Sequence, residues 1–250
     1  MTWNTAKVFS YCERGWDPSF WAEPLNAISN GAFVIAGLIA AYQLARSTRT
    51  DRALFEWVLI LLVLCIGAGS FMFHTYATVW SIPFDTVPIS LFMLGYLGYA
   101  LRRFLGLPWI FVLLALGLFY WSIDLARGIT CTNELLPMTR AAEKRCFNGT
   151  LGYSPAFVAL ILVGIALAWK RHPAAGYIIA AAIVFLVSMT FRTIDYEVCR
   201  WATRAGRGIG THFLWHLFNG LLLYILLLGA IRHGAPKTAA PVASAGRSGP

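Results

Sequence analysis

Residues 53–74 read ALFEWVLILLVLCIGAGSFMFH, an apolar run that closes on a histidine. A helix rises about 1.5 Å per residue, so roughly 20 such residues cross the hydrocarbon core of a bilayer. The next apolar run, 83–101, carries Asp85 near its start. Ionisable groups at the ends of two consecutive membrane-length runs are costly there and usually serve function.

Five further runs of similar length occupy 25–45, 107–125, 152–169, 174–191 and 210–231, giving seven in all. Of the 250 residues, 58% are hydrophobic and only 12% charged, against about 25% charged in a soluble domain. The net charge of +9 sits in pairs and triplets between the apolar runs, as membrane flanks do, which excludes a nucleic-acid-binding surface. In lipid only helices or closed barrels satisfy the backbone. The expected fold is therefore an all-α integral membrane protein, a seven-transmembrane-helix bundle over residues 25–232, with no repeat and no second domain. A non-cytoplasmic segment at 1–24 would precede it. The Ala/Pro/Gly/Ser-rich end, GAPKTAAPVASAGRSGP, reads as a disordered cytoplasmic tail at 233–250. The start, MTWNTAKVFSYCERGWDPSF, lacks an apolar core followed by a small-residue cleavage site, so no signal peptide is expected to be removed.

Seven spans put the termini on opposite sides. Lys and Arg divide ten against ten between the two faces, but the short basic loops at 46–52, 102–106 and 170–173 all fall on the C-terminal side, whereas 75–82 carries none. This places the N-terminus outside the cytoplasm. The cysteines agree. Cys12, Cys131, Cys146 and Cys199 all lie on the N-terminal side, and Cys65 lies inside a span. Loop cysteines confined to one face suit an oxidising compartment. Three pairings exist; Cys131–Cys146 within one loop and Cys12–Cys199 between the N-terminal segment and the last loop are preferred. The expected setting is a bacterial inner membrane rather than the endoplasmic reticulum or Golgi.

His74 ends the second span, and His212 and His216 begin the seventh, on the same face and at similar depth. His212 and His216 are four apart and so project from one side of a helix. Two such imidazoles can grip one metal; His74 would make a third ligand and leave a fourth position for water, as in catalytic zinc sites. The plain alternative is a set of histidines packed between helices or bonded to carbonyls. Asp85 could take a proton from a metal-activated water and pass it to a leaving group, or simply be an N-cap. Ser70, four residues before His74, could steady an oxyanion, or be a small residue for close helix packing.

The stretch GAGSFMFHTYATVWSIPFD, with Ser-x-x-x-His followed by Asp85, together with HFLWH in the last span, resembles the alkaline ceramidase family. That family belongs to the seven-helix membrane hydrolases that include adiponectin receptors and Per1-like proteins. The opening YCERGWDPSFWAEPLNAISN is similar to the opening of alkaline ceramidases in its Cys-Glu and its Glu-x-x-Asn-x-x-Ser-Asn phrase. The resemblance implies a zinc-dependent amidohydrolase. Ceramide or a related N-acyl lipid would be cleaved by a zinc-activated water to a fatty acid and a long-chain amine. His74, His212 and His216 would hold zinc, Asp85 would shuttle protons and Ser70 would steady the oxyanion. It also implies a calcium site, for which Glu13 and Glu23 match two ligands, while Ser10 and Gly15 stand where the family has Asp and Asn. If no metal binds there, the two glutamates should pair with Arg14 or another outer-face arginine.

The implied partners are a membrane lipid substrate and the bilayer, with no nucleic acid and no obligatory protein partner. A retinal protein would need a lysine inside the bundle, and Lys7, Lys144, Lys170 and Lys237 all lie in loops or tails. The remaining alternative is a receptor-like or lipid-binding relative with a structural zinc and little turnover.

Overall fold

The computed structural model describes residues 4–48, 51–130 and 146–235. Cys131, and with it the Cys131–Cys146 pairing, lies outside the described residues, as does most of the expected tail. The fold is a seven-helix membrane bundle. The first span is α1 (Pro24–Ser29) continued by α2 (Gly31–Ala45), and the second is α3 (Leu54–Tyr76). The third joins a 3-10 turn at Val79–Ser81, α4 (Ile82–Tyr99) and a π turn at Ala100–Phe104. Then come α5 (Trp109–Gly128), α6 (Ser154–Trp169), which a 3-10 segment at Cys146–Tyr153 leads into, α7 (Ala175–Thr193) and α8 (His212–His233). Prolines open α1, α4 and α6, where the missing N–H has no intrahelical partner to lose.

Neighbouring spans pack in sequence, and α8 closes the ring by packing on α1, α2, α3 and α7. It is the most buried span. Outward faces carry Trp109, Ile110, Leu113, Leu114, Leu118 and many other exposed large apolar side chains. Only lipid makes such a surface tolerable. The fifth helix runs to Gly128, through the polar end at Asp124 and Arg127, a turn longer than the apolar run suggests. The third span begins at Val79, four residues before the apolar run. Asp85 therefore sits within the first turn of α4 and is not its N-cap.

One helix contact sets the positions of Ser70 and Asp85. Gly69 of α3 lies against the Phe84 carbonyl of α4, so close that an added Cβ would overlap that oxygen. Pro88, inside α4, has no N–H to offer that carbonyl four residues back. Ser70 and Asp85 are the residues that follow this pair. Gly69→Ala should gain about 1 kcal/mol of helix propensity. Pushing a backbone carbonyl aside costs roughly 1–3 kcal/mol or more, so the clash wins. The expected result is a lower melting temperature in detergent together with reduced activity; an unchanged melting temperature would mean that the helices do not approach this closely.

The N-terminal segment folds over the outer end of the bundle. Val8 N–H donates to the Ala77 carbonyl at 2.8 Å, and Val79 N–H to the Ala6 carbonyl at 3.0 Å. A disulfide joins Cys12 to Cys199, in the loop between α7 and α8. That loop also holds a short hairpin, β1 (Thr203–Arg204) paired with β2 (Arg207–Gly208).

Candidate functional site

His74 lies in the last turn of α3, while His212 and His216 lie in the first two turns of α8. All three are buried, and each offers a ring nitrogen within 4.8 Å of the other two. Packing of α3 against α8 brings them together.

Local structure places each histidine. The Asp195 carboxylate accepts the N–H groups of Cys12 at 2.9 Å, Thr211 at 2.8 Å and His212 at 2.9 Å. It thus caps α8 and holds the disulfide segment to it, satisfying donors that a helix start leaves open. The sequence suggests an ion-pair cluster with Arg192 and Arg200 at this point; the carboxylate instead serves three backbone amides. Gly210 makes room for it, since a Cβ there would overlap Asp195 Oδ1, and its φ of +59° suits glycine.

His74 Nδ1–H donates to Glu23 Oε2 at 2.6 Å. Ser29 has one hydroxyl proton, which it gives to the Asn26 carbonyl at 3.0 Å; its oxygen therefore accepts His216 Nδ1–H at 2.8 Å. Both contacts place the proton on Nδ1 and leave Nε2 as a lone pair. His74 Nε2 and His212 Nδ1 are buried with no hydrogen-bond partner. Orphaned buried acceptors are costly, and a metal ion between the rings would satisfy them. A histidine oriented by a carboxylate is the usual support of a metal ligand. The three-histidine cluster fits a metal ion of the zinc type.

Arg14 lies behind Glu23. Its Nε pairs with Glu23 Oε1. Its other nitrogens donate to the carbonyls of Asp17 at 3.1 Å, Ser19 at 2.9 Å and His74 at 2.9 Å. Burial alone would raise the Glu23 carboxyl, yet the His74 ring and the Arg14 guanidinium hold it below its usual range. Glu13 accepts the N–H groups of Leu25 and Asn26, both at 2.8 Å, and so caps α1. Burial pushes its carboxyl above the usual range, with those amides opposing.

These residues do not fit calcium. A hard divalent cation takes six to eight oxygens, whereas here a buried guanidinium already gathers Glu23 and the surrounding carbonyls. The pairing of Glu23 with Arg14 is the arrangement expected without a metal.

Ser70 is buried one turn before His74, and Asp85 is half-buried. The charge of Asp85 acts on Tyr11 and Arg192, and the Tyr11 ring stacks on His212 at 3.8 Å between centroids. An apolar cavity starts beside the histidines at Phe33, Trp215 and Asn219 and runs past Phe92 and Met93 to Leu226. From Trp215 to Leu226 the helix rises roughly 16 Å.

The family model described as Ceramidase matches residues 4–239. The chain belongs to the ceramidase family. No curated protein sequence matches it significantly. Membership in the ceramidase family implies a hydrolase acting on amide bonds of a membrane lipid. Motif reading did not assign roles to Tyr11 or Ser29, and for Arg14 it offered only the pairing with the glutamates. The phrase Glu-x-x-Asn-x-x-Ser held Glu23, Asn26 and Ser29 in view, and the helical spacing of Asn26 and Ser29 was the available signal.

Proposed function

We propose that this ceramidase-family protein hydrolyses the amide bond of ceramide or a related N-acyl lipid, giving a fatty acid and a long-chain amine. The observation that carries the reading is the buried histidine triplet, two of whose rings are oriented by Glu23 and Ser29, at the head of an apolar cavity. His74, His212 and His216 would hold a zinc ion, which when bound supplies Lewis-acid activation of water and of the amide carbonyl. The cavity takes the acyl chain and excludes water from it. Ser70 Oγ–H donates to the carbonyl oxygen as charge builds there. Water adds through its oxygen to the acyl carbon, and the C–N bond breaks. Asp85 takes a proton from the attacking water and gives it to the departing nitrogen, so that water's elements divide between acid and amine. The site, with the Cys12–Cys199 disulfide beside it, faces the non-cytoplasmic side in this reading.

The test is release of fatty acid and long-chain base from ceramides in detergent micelles, by purified protein before and after stripping with a strong zinc chelator. Turnover should vanish on stripping and return with added zinc. A folded protein that binds zinc and cleaves no N-acyl lipid would instead be a lipid-binding relative with a structural metal.

A further inference from the structure

Arg192, at the end of α7, is the cation that the hydrolytic scheme leaves unused. Its guanidinium carbon lies 5.8, 5.4 and 5.2 Å from the ring centroids of Tyr11, Tyr153 and Trp215. Nη1 approaches Tyr11 Oη at 3.5 Å, and Nε is buried with no hydrogen-bond partner. Among the described residues no carboxylate lies within ion-pair distance of it. Asp195, three residues on, is taken up by backbone amides, and Glu197 accepts Asn148 Nδ2 at 3.1 Å. Asp85 contributes charge to its surroundings without pairing with it.

The position is specific. The Tyr11 ring stacks on His212 and also meets Arg192, and Tyr153 and Trp215 both line the apolar cavity. A guanidinium flanked by three aromatic faces is attracted to them. Its fork of N–H groups is still not filled, and that fork matches a carboxylate through two parallel bonds.

We infer that Arg192 is the recognition site for a long-chain carboxylate whose tail occupies the cavity. Resting on the hydrolase reading, that carboxylate is the released fatty acid, formed beside the histidines with its chain already in place. Arg192 then holds the product after the C–N bond has broken, and the enzyme is inhibited by its own fatty acid.

The experiment measures binding of palmitate and of uncharged hexadecanol to the zinc-loaded protein in detergent, by tryptophan fluorescence, for the parent, Arg192→Gln and Arg192→Lys. Palmitate affinity should fall at least tenfold in Arg192→Gln and recover in part in Arg192→Lys, with hexadecanol affinity and zinc content unchanged in all three. Should the glutamine variant fail to fold, Arg192→Lys carries the test: it keeps the charge and loses the fork, so palmitate alone should weaken. Palmitate binding within twofold of the parent in a folded variant overturns the inference and leaves Arg192 as a staple between aromatic rings. Because binding needs no turnover, the two readings separate. Ceramide cleavage with Arg192-independent palmitate binding removes the carboxylate site alone. Arg192-dependent palmitate binding without cleavage keeps the site and removes the hydrolase.

Discussion

Asp85→Asn is expected to lower the rate of lipid hydrolysis by roughly 10²–10⁴-fold, the usual contribution of a positioned acid–base group, while metal content stays at the parent level. Asparagine keeps the shape of aspartate but cannot carry the proton. The competing structural role is small. Asp85 lies in the first turn of α4 and makes no cap hydrogen bond there, so its stabilising effect is that of an acid near a helix start, about 0.3–1 kcal/mol. Rate and melting temperature therefore part company: a large loss of one with a shift of a few degrees in the other. Hydrolysis at the parent rate would remove Asp85 from the chemistry.

The second large effect belongs to the Arg14–Glu23–His74 chain. Glu23→Gln should weaken metal binding roughly 10–100-fold, as loss of an outer partner of a ligating histidine does. It should also destabilise the protein by about 3–5 kcal/mol, because the Arg14 guanidinium is left buried without its counter-charge. The two consequences can be separated. Arg14→Met combined with Glu23→Leu removes both charges, so stability should recover in part, with a coupling energy measurable by a double-mutant cycle. Metal affinity should stay low in the double variant, because His74 Nδ1 still lacks its carboxylate. Melting in detergent and competition for zinc with a chelating dye give the two readouts. A Glu23→Gln protein that binds zinc as tightly as the parent would show that the contact with His74 does not hold the ring.

The sequence made the seven spans and the three histidines legible for the same reason: a bilayer imposes a length on apolar runs, and polar groups at their ends stand out. The helix termini were less legible. The third span starts at Val79 because Thr78 and Ser81 form a capping box in a turn too short to alter hydropathy, and this moves Asp85 from a cap position into the helix. The surroundings of the histidines were hidden for a different reason. Tyr11 and Arg14 reach the site through an N-terminal segment that a disulfide and the Cys12–Asp195 bond hold over α8, and Glu23 and Ser29 through the packing of α1 on α3 and α8. Such contacts join residues up to 187 positions apart, and no local periodicity records them. Arg192 and Asp195 are near neighbours in sequence, which suggests one ion-pair cluster; burial and ring packing set them to separate tasks.

The proposed hydrolysis stands or falls on three histidines from α3 and α8 holding one metal. Elemental analysis of the purified, detergent-solubilised protein, beside His74→Ala and His216→Ala, tests it most directly. About one zinc per chain is expected in the parent and none in either folded variant. A folded parent that takes up no zinc on reconstitution, or alanine variants that keep it, would mean that these histidines do not hold a metal.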